Sequence, residues 1–373
     1  MTEQSNSELP DFQIVPPDIP NEGITFVDHQ AAGRSGHGGN CLVECTNGDV
    51  LAFYSNTAGE VWDGHSVAGW SEFSRSTDGA KSWGERREFP YSKQVWEGDD
   101  VYSALVFSVV KAPDDSLIAF VVLFENERWQ KQRSPIYLRS TDHGRTWSDP
   151  RELEPNAGSA EVAMTFDATV TTNDTVYAVF FGDDGNMGTG PYSLYVSEDN
   201  GRSFQRRSVL PFHERNYYAT AGVLDDGSLI VYSYSAHHDG IDERHVPYVI
   251  SHDDGETWTE VNRTELSKKI RNPQLATKIG GRYLMHGRSG SYGAGSNHFV
   301  LYSSSDGINW DEGIYLSKNQ EGGSGDCYSA NAVIGRTDPD ATETLLIQSS
   351  VNYDPETKRV NVCHWRIEPT VEP

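Results

Sequence analysis

A chain of 373 residues with 55 acidic and 30 basic side chains, a formal net charge of −25, lacks the basic surface that nucleic acid or an anionic membrane would require. Nine Trp, 18 Tyr and 14 Phe in a 36% hydrophobic composition suffice for a sizeable core, and the length suits either two average domains or one large all-β body. Arg outnumbers Lys 21 to nine, an acidic, Lys-poor balance compatible with high salt.

Residues Met1 to Asp11 are polar and acidic, with no cationic start and no apolar run, so the expectation is neither a secretory signal nor a membrane span but a cytoplasmic protein. Residues 1–22 read as an N-terminal tail, from which Phe12-Gln13-Ile14-Val15 can add a strand to the last repeat and seal the fold. Residues 23–373 read as the folded body. Cys41 and Cys45 lie four apart on a strand-like segment, too distant along it to bridge. Cys327 and Cys363 fall in the last repeat, where a pair is possible. No cysteine spacing suits a metal, and neither metal nor cofactor is expected.

From Asn47 onward, one signal is a tight polar turn between two apolar strands. It occurs at Asn47-Gly48, Asp114-Asp115, Asn173-Asp174, Asp226-Gly227, Gly280-Gly281 and Asp338-Pro339-Asp340, which predicts six hairpins. The other is a Ser-x-Asp-x-Gly-x-x-aromatic turn, seen in Ser140-x-Asp142-x-Gly144-x-x-Trp147, Ser251-x-Asp253-x-Gly255-x-x-Trp258 and Ser197-x-Asp199-x-Gly201-x-x-Phe204. Looser copies are Ser76-x-Asp78-Gly79 ending at Trp83, and Ser304-x-Asp306-Gly307 ending at Trp310. The steps between successive Asp residues are 64, 57, 54 and 53 residues, enough for about four short strands each. Four-stranded units that cannot each bury both faces predict blades around an axis. The fold expected is therefore all-β, a six-bladed β-propeller with four antiparallel strands per blade. A twin β-sandwich fits five turns after equivalent strands poorly. No long helix is evident, and Thr264 to Ile270 is the one stretch that reads as a helical turn or two.

The five turns resemble the Asp boxes of the sialidase (neuraminidase) superfamily, and the first unit, from Gly39 through the Ser76 turn, resembles the first blade of that family. The likeness runs from about His37 to Trp365. It implies an enzyme that cleaves a glycosidic bond of an anionic sugar, with three arginines clamping a carboxylate, a Glu-activated Tyr as nucleophile and an Asp as acid. Such chemistry is coherent: guanidiniums pair bidentately with carboxylates, and a neutral phenol approaches the anomeric carbon without adding a second negative charge. Carried over, it places Tyr328, in Asp326-Cys327-Tyr328-Ser329, as nucleophile. The acid is Asp63, preferred over Glu60, in the loop before the first box, and Glu214 is the possible base.

The arginine clamp departs from the family pattern. Where a first arginine is expected the chain reads His37-Gly38-Gly39-Asn40, leaving Arg34 as substitute. Tyr218 and Tyr234 stand where a glutamate and an arginine are expected, with Glu214 and Arg215 a few residues upstream, and Arg288 is the stand-in for the third arginine. Histidines fill several loops: His37 and His65 in the first unit, His237, His238 and His245 after the fourth hairpin, and His286 and His298 around a glycine-rich loop. A neutral His can abstract the proton beside a uronate carboxylate while Tyr328 or Tyr218 returns one to the leaving oxygen. A polysaccharide lyase is thus the alternative, and a non-catalytic glycan- or protein-binding propeller a third reading. Asn40, Asp99, Asp100, Tyr102, Arg128, Arg271 and Asn272 are further candidates for binding, and Trp62, Trp70, Trp96 and Trp129 for stacking on sugar faces. The partner expected is a carbohydrate, and the oligomeric state is left open.

Overall fold

The computed structural model describes residues 11–15, 34–36, 38–58, 66–98, 102–125, 132–153, 162–164, 169–172, 174–182, 191–212, 216–235, 244–289, 298–317, 328–338, 340–354 and 359–370. They form an all-β propeller with one short helix, Pro90–Glu97, opened by a proline in its first turn. The stretch expected to turn helically, 264–270, does not. Asn262–Glu265 is instead a strand paired with His245–Ser251, with Thr264 its one buried residue, so the ladder to the neighbouring strand rather than a helical turn takes up its backbone groups.

All six expected hairpins form, from Cys41–Glu44 with Val50–Ala58 to Ser329–Ile334 with Thr344–Asp354. The turn chemistry explains their register. Gly48 and Gly227 sit at φ 83° and 86°, and Asp115 adopts φ 67°, the left-handed conformation that tight hairpin connections require. Four sheets stand separately with four or five strands. The expectation of six separate four-stranded sheets needs correction here, since a nine-stranded sheet joins 34–76 to 103–152. The join is a single parallel bridge, Trp70 to Ala104.

Each Ser-x-Asp turn closes in the same way. In the second copy the Asp142 carboxylate accepts the backbone N–H of Arg145 (3.0 Å) and Thr146 (2.9 Å), the Thr146 hydroxyl (2.6 Å) and the Ser140 hydroxyl (2.8 Å). Ser140 Oγ in turn accepts the Gly144 N–H at 2.8 Å. Gly144 lies at φ 73°, where a Cβ would meet Leu51 at 2.6 Å, so the turn seats on the neighbouring hairpin's core.

The chain ends meet in one sheet. Phe12–Val15 pairs antiparallel with Arg359–Pro369, and Phe12, 5% exposed, packs in a cluster with Ile279, Trp365 and Ile367. The expected boundary between residues 22 and 23 lies outside the described residues. Cys41, Cys45 and Cys363 are buried free thiols, and Cys327 lies outside the described residues.

Innermost strands from all five sheets surround an axial cavity of about 320 Å3 at the turn end, lined by Glu44, Lys111, Thr171, Val223, Thr277 and Arg336 among others. The first residues of those strands therefore open at the opposite end of the axis.

Candidate functional site

At that opposite end, two neighbouring inner strands carry the same irregularity. In Asn216–Val223 one extra residue is accommodated between the pairs Tyr217↔Tyr234 and Thr220↔Tyr232. In Arg271–Leu275 it lies between Arg271↔Arg288 and Gln274↔His286. Each bulge forces a non-glycine residue to positive φ, Tyr218 at 46° and Asn272 at 49°, a strain of about 1–2 kcal/mol. Gly287 makes the second bulge feasible: a Cβ there would sit 2.7 Å from the Arg271 carbonyl oxygen. Bulges re-aim side chains, and these two strands meet the tyrosine that precedes Ser329–Ile334.

Two arginines and three tyrosines converge as a result. Arg271 and Arg288 are directly opposed across their ladder. Arg271 Nη2 donates to the Tyr234 hydroxyl at 3.2 Å, and the Arg288 guanidinium lies 4.6 Å from the Tyr328 ring centre, within cation–π range. Tyr218 stacks on Tyr234 (5.6 Å, 14° between planes) and meets Tyr328 edge-on (6.0 Å, 79°). Burial, followed by the neighbouring Tyr328 and Tyr234, raises Tyr218 well above the ordinary phenol value, with Arg288 pulling the other way. Tyr234 is raised chiefly by burial, against Arg271 and Arg288. Both therefore hold their protons at neutral pH, and Tyr218 is a hydrogen-bond donor rather than a base.

The segment bearing Tyr328 is held from behind by two amide–imidazole chains. Asn40 Nδ2 donates to the Tyr328 carbonyl (3.4 Å), and Gln348 Nε2 donates to Asn40 Oδ1 (2.9 Å) and to the Phe53 carbonyl (2.7 Å). His364 Nε2 lies 3.0 Å from Gln348 Oε1, an acceptor, so that nitrogen carries the proton. His364 also stacks on Trp83, ring centres 4.9 Å apart. On the other flank, Asn331 Nδ2 donates to His286 Nε2 (3.0 Å), and His286 Nδ1 lies 3.1 Å from Ser329 Oγ. An imidazole accepting at Nε2 carries its proton on Nδ1, so His286 donates to Ser329. Burial lowers both imidazoles to about 3. They are fixed neutral parts of the frame, and His286, expected among the loop histidines, is a buried residue of the strand Tyr283–Arg288.

Of the predicted site residues, Tyr328, Tyr218, Arg271 and Arg288 come together. Asn40 is 6% exposed and its amide is engaged with Gln348 and Tyr328, which makes it a support for the tyrosine segment. Arg34 begins a two-residue strand opposite Ala58. His245 lies 3.8 Å from Glu265, and the His298 ring is 4.3 Å from that of Tyr315. Trp70, Trp96 and Tyr102 pack on one another, with Lys93 over Trp70 at 3.7 Å. Asp63, Glu214, Arg215, His37, His65, Asp100, Arg128, Glu60, Trp62, Trp129, Asp99, His237 and His238 lie outside the described residues. Tyr234 and Gln348 were not singled out as binding or supporting groups. Tyr234 is the penultimate residue of the apolar strand Leu229–Ser235 and Gln348 is the polar residue directly after Leu345-Leu346-Ile347, the signals that could have found them.

No family model matches the sequence, and no curated protein matches it. Solved structures do. A protein of unknown function from Dyadobacter fermentans is 14% identical over 97% of this chain and 100% of its own, with a TM-score of 0.74. A Hadza microbial sialidase is 16% identical over 91% of this chain and 67% of its own, TM-score 0.69. The intramolecular trans-sialidase from Ruminococcus gnavus is 13% identical over 95% and 100%, TM-score 0.64. At these identities the likeness is one of fold, and the fold is sialidase-like.

Proposed function

We propose that this chain is a six-bladed propeller that binds a carboxylated sugar over Arg271 and Arg288 and cleaves its glycosidic bond on the sialidase plan. The blade count rests on treating the nine-stranded sheet as two blades joined at the Trp70–Ala104 bridge, which gives six inner strands around the axial cavity. The observation that carries the functional reading is the pairing of Arg271 with Arg288 across one ladder, each set against a tyrosine ring. Two opposed guanidiniums form a fork for a carboxylate. Tyr328, beside Arg288, is the nucleophile: its oxygen bonds to the anomeric carbon as the leaving oxygen departs. Its proton passes to a base, for which Glu214 is the candidate, and Asp63 protonates the leaving group.

One observation favours the second reading, β-elimination from a uronate glycan. Tyr218 stands where the base was expected, edge-on to Tyr328 at 6.0 Å, and a phenol at that place is suited to donate to a leaving oxygen, with His37 or His65 as base. One comparison separates the two. Wild-type protein is incubated with glycosides of sialic and uronic acids, reading both reducing-sugar release and the ultraviolet absorbance of an unsaturated uronate. The sialidase plan expects reducing sugar without the unsaturated product, and a loss of about a thousandfold in kcat for Tyr328→Phe. Unsaturated product would replace it with the lyase reading. Binding without turnover across the panel would leave a glycan-binding propeller.

A further inference from the structure

We infer that Asn272 is a specificity-determining residue that reads a pair of adjacent hydroxyls on the sugar whose carboxylate Arg271 and Arg288 hold. This inference rests on the carboxylated-sugar reading above. Asn272 is 2% exposed, yet among the described residues neither its Nδ2 nor its Oδ1 has a hydrogen-bond partner. Buried amides left unsatisfied are rare and costly. The same residue also carries left-handed strain at φ 49°, so two penalties coincide at one position.

The backbone says where the amide belongs. Counting from the bulges, Tyr218 corresponds to Asn272 and Tyr234 to Arg288, because Tyr217↔Tyr234 and Arg271↔Arg288 are the equivalent pairs before the extra residue. Tyr218, on the first bulge, reaches Tyr234 and Tyr328. Asn272 has the same register and nearly the same φ one sheet further round. It is therefore presented beside the arginine that precedes it, at the same end of the axis.

Amide chemistry then narrows the group recognised. A primary amide offers one acceptor and one donor side by side. A trans secondary amide points its N–H and C=O in opposite directions and cannot satisfy both. Two adjacent hydroxyls can, one donating to Oδ1 and the other accepting from Nδ2. Sites built to hydrogen-bond a hydroxyl discriminate strongly against analogues lacking it, because the protein group is then left unpaired.

The test is calorimetric titration of wild type, Asn272→Ala and Asn272→Gly with the methyl glycosides of N-acetylneuraminic acid and glucuronic acid and their monodeoxy analogues. The glycine variant removes the amide and relieves the positive φ, and the Tm of each variant is read alongside. For whichever acid binds, loss of one hydroxyl of the pair should weaken wild type by about tenfold or more, and this discrimination should vanish in Asn272→Gly. Wild-type discrimination persisting in Asn272→Gly overturns the inference while leaving the arginine site standing. The same holds if both variants only lower Tm, which would mark Asn272 as an anchor for a neighbouring loop. If neither acid binds wild type, the carboxylated-sugar reading falls and this inference falls with it.

Discussion

His286 is fully buried and His364 half-buried, and desolvation lowers each to about 3, with Arg366 adding to the effect at His364, from an unfolded value near 6.5. A depressed histidine binds no proton in the folded state where the unfolded chain does. Stability is therefore full above about pH 6.5 and is lost as pH falls from there toward 3, at about 1.4 kcal/mol per pH unit for each group. We expect Tm to fall steadily between pH 6.5 and 4. A double variant, His286→Gln with His364→Gln, should show a flatter profile over that window even if it starts lower, and parallel profiles would exclude the histidines as the cause. The family resemblance pointed to Tyr328, and Arg288 entered as the nearest stand-in for a missing arginine. The sequence could not show that Arg271 faces Arg288, since that pairing depends on one extra residue in the ladder, nor that His286 is sealed behind Ser329. Alternation marks a face; it does not say how deep the face lies.

At the scale of one element, the Ser-x-Asp turn is legible because its whole function is local. Asp142 meets burial, which raises its carboxyl, but the four hydrogen bonds from Thr146, Ser140 and Arg145 outweigh it and hold the group at about 2. Asp78, Asp253 and Asp306 are lowered to about 2 by their own turns. Being depressed, these groups stabilise the fold fully above the ordinary carboxylate range, and that contribution disappears as pH falls through 2, well below the histidine window. Asp142→Ala leaves two backbone donors and two hydroxyls without their acceptor and should cost about 1–2 kcal/mol, a Tm drop of about 2–4 °C. These turns lie at the end of the blades away from Tyr328, so kcat should not change, and a large catalytic loss would contradict the placement of the site. The helix Pro90–Glu97 was missed for the opposite reason. Only Ser92 of its eight residues is buried, so no apolar stripe announces it. Its position depends on distant partners: Ser92 Oγ receives the Ser71 N–H at 2.8 Å and donates to the Ala104 carbonyl.

Over the whole molecule, the ring is closed by non-covalent pairing between the two ends of the chain. Phe12 stands opposite Pro369, Val15 opposite Arg366, and the Thr370 N–H donates to the Asp11 carbonyl at 2.9 Å. The strand was legible in Phe12-Gln13-Ile14-Val15 because a ring of repeats needs its last unit completed from the first segment. The merging of two hairpin groups into one nine-stranded sheet was not, since it hangs on one parallel bridge with no sequence pattern of its own. Closure matters twice. It buries Phe12 against Ile279 and Trp365, and it covers the outer edge of Arg359–Pro369, which would otherwise offer unpaired N–H and C=O groups to a second molecule. Phe12→Ala should therefore cost about 3–4 kcal/mol, read as a lower urea midpoint with an unchanged slope. Deleting residues 1–15 removes the packing and bares the edge together. We expect that truncation to lose more stability than Phe12→Ala and to elute at a larger, concentration-dependent size. If the truncated protein instead unfolds at the wild-type midpoint and elutes as wild type does, the terminal strand is an ornament on a ring that the remaining sheets already hold shut.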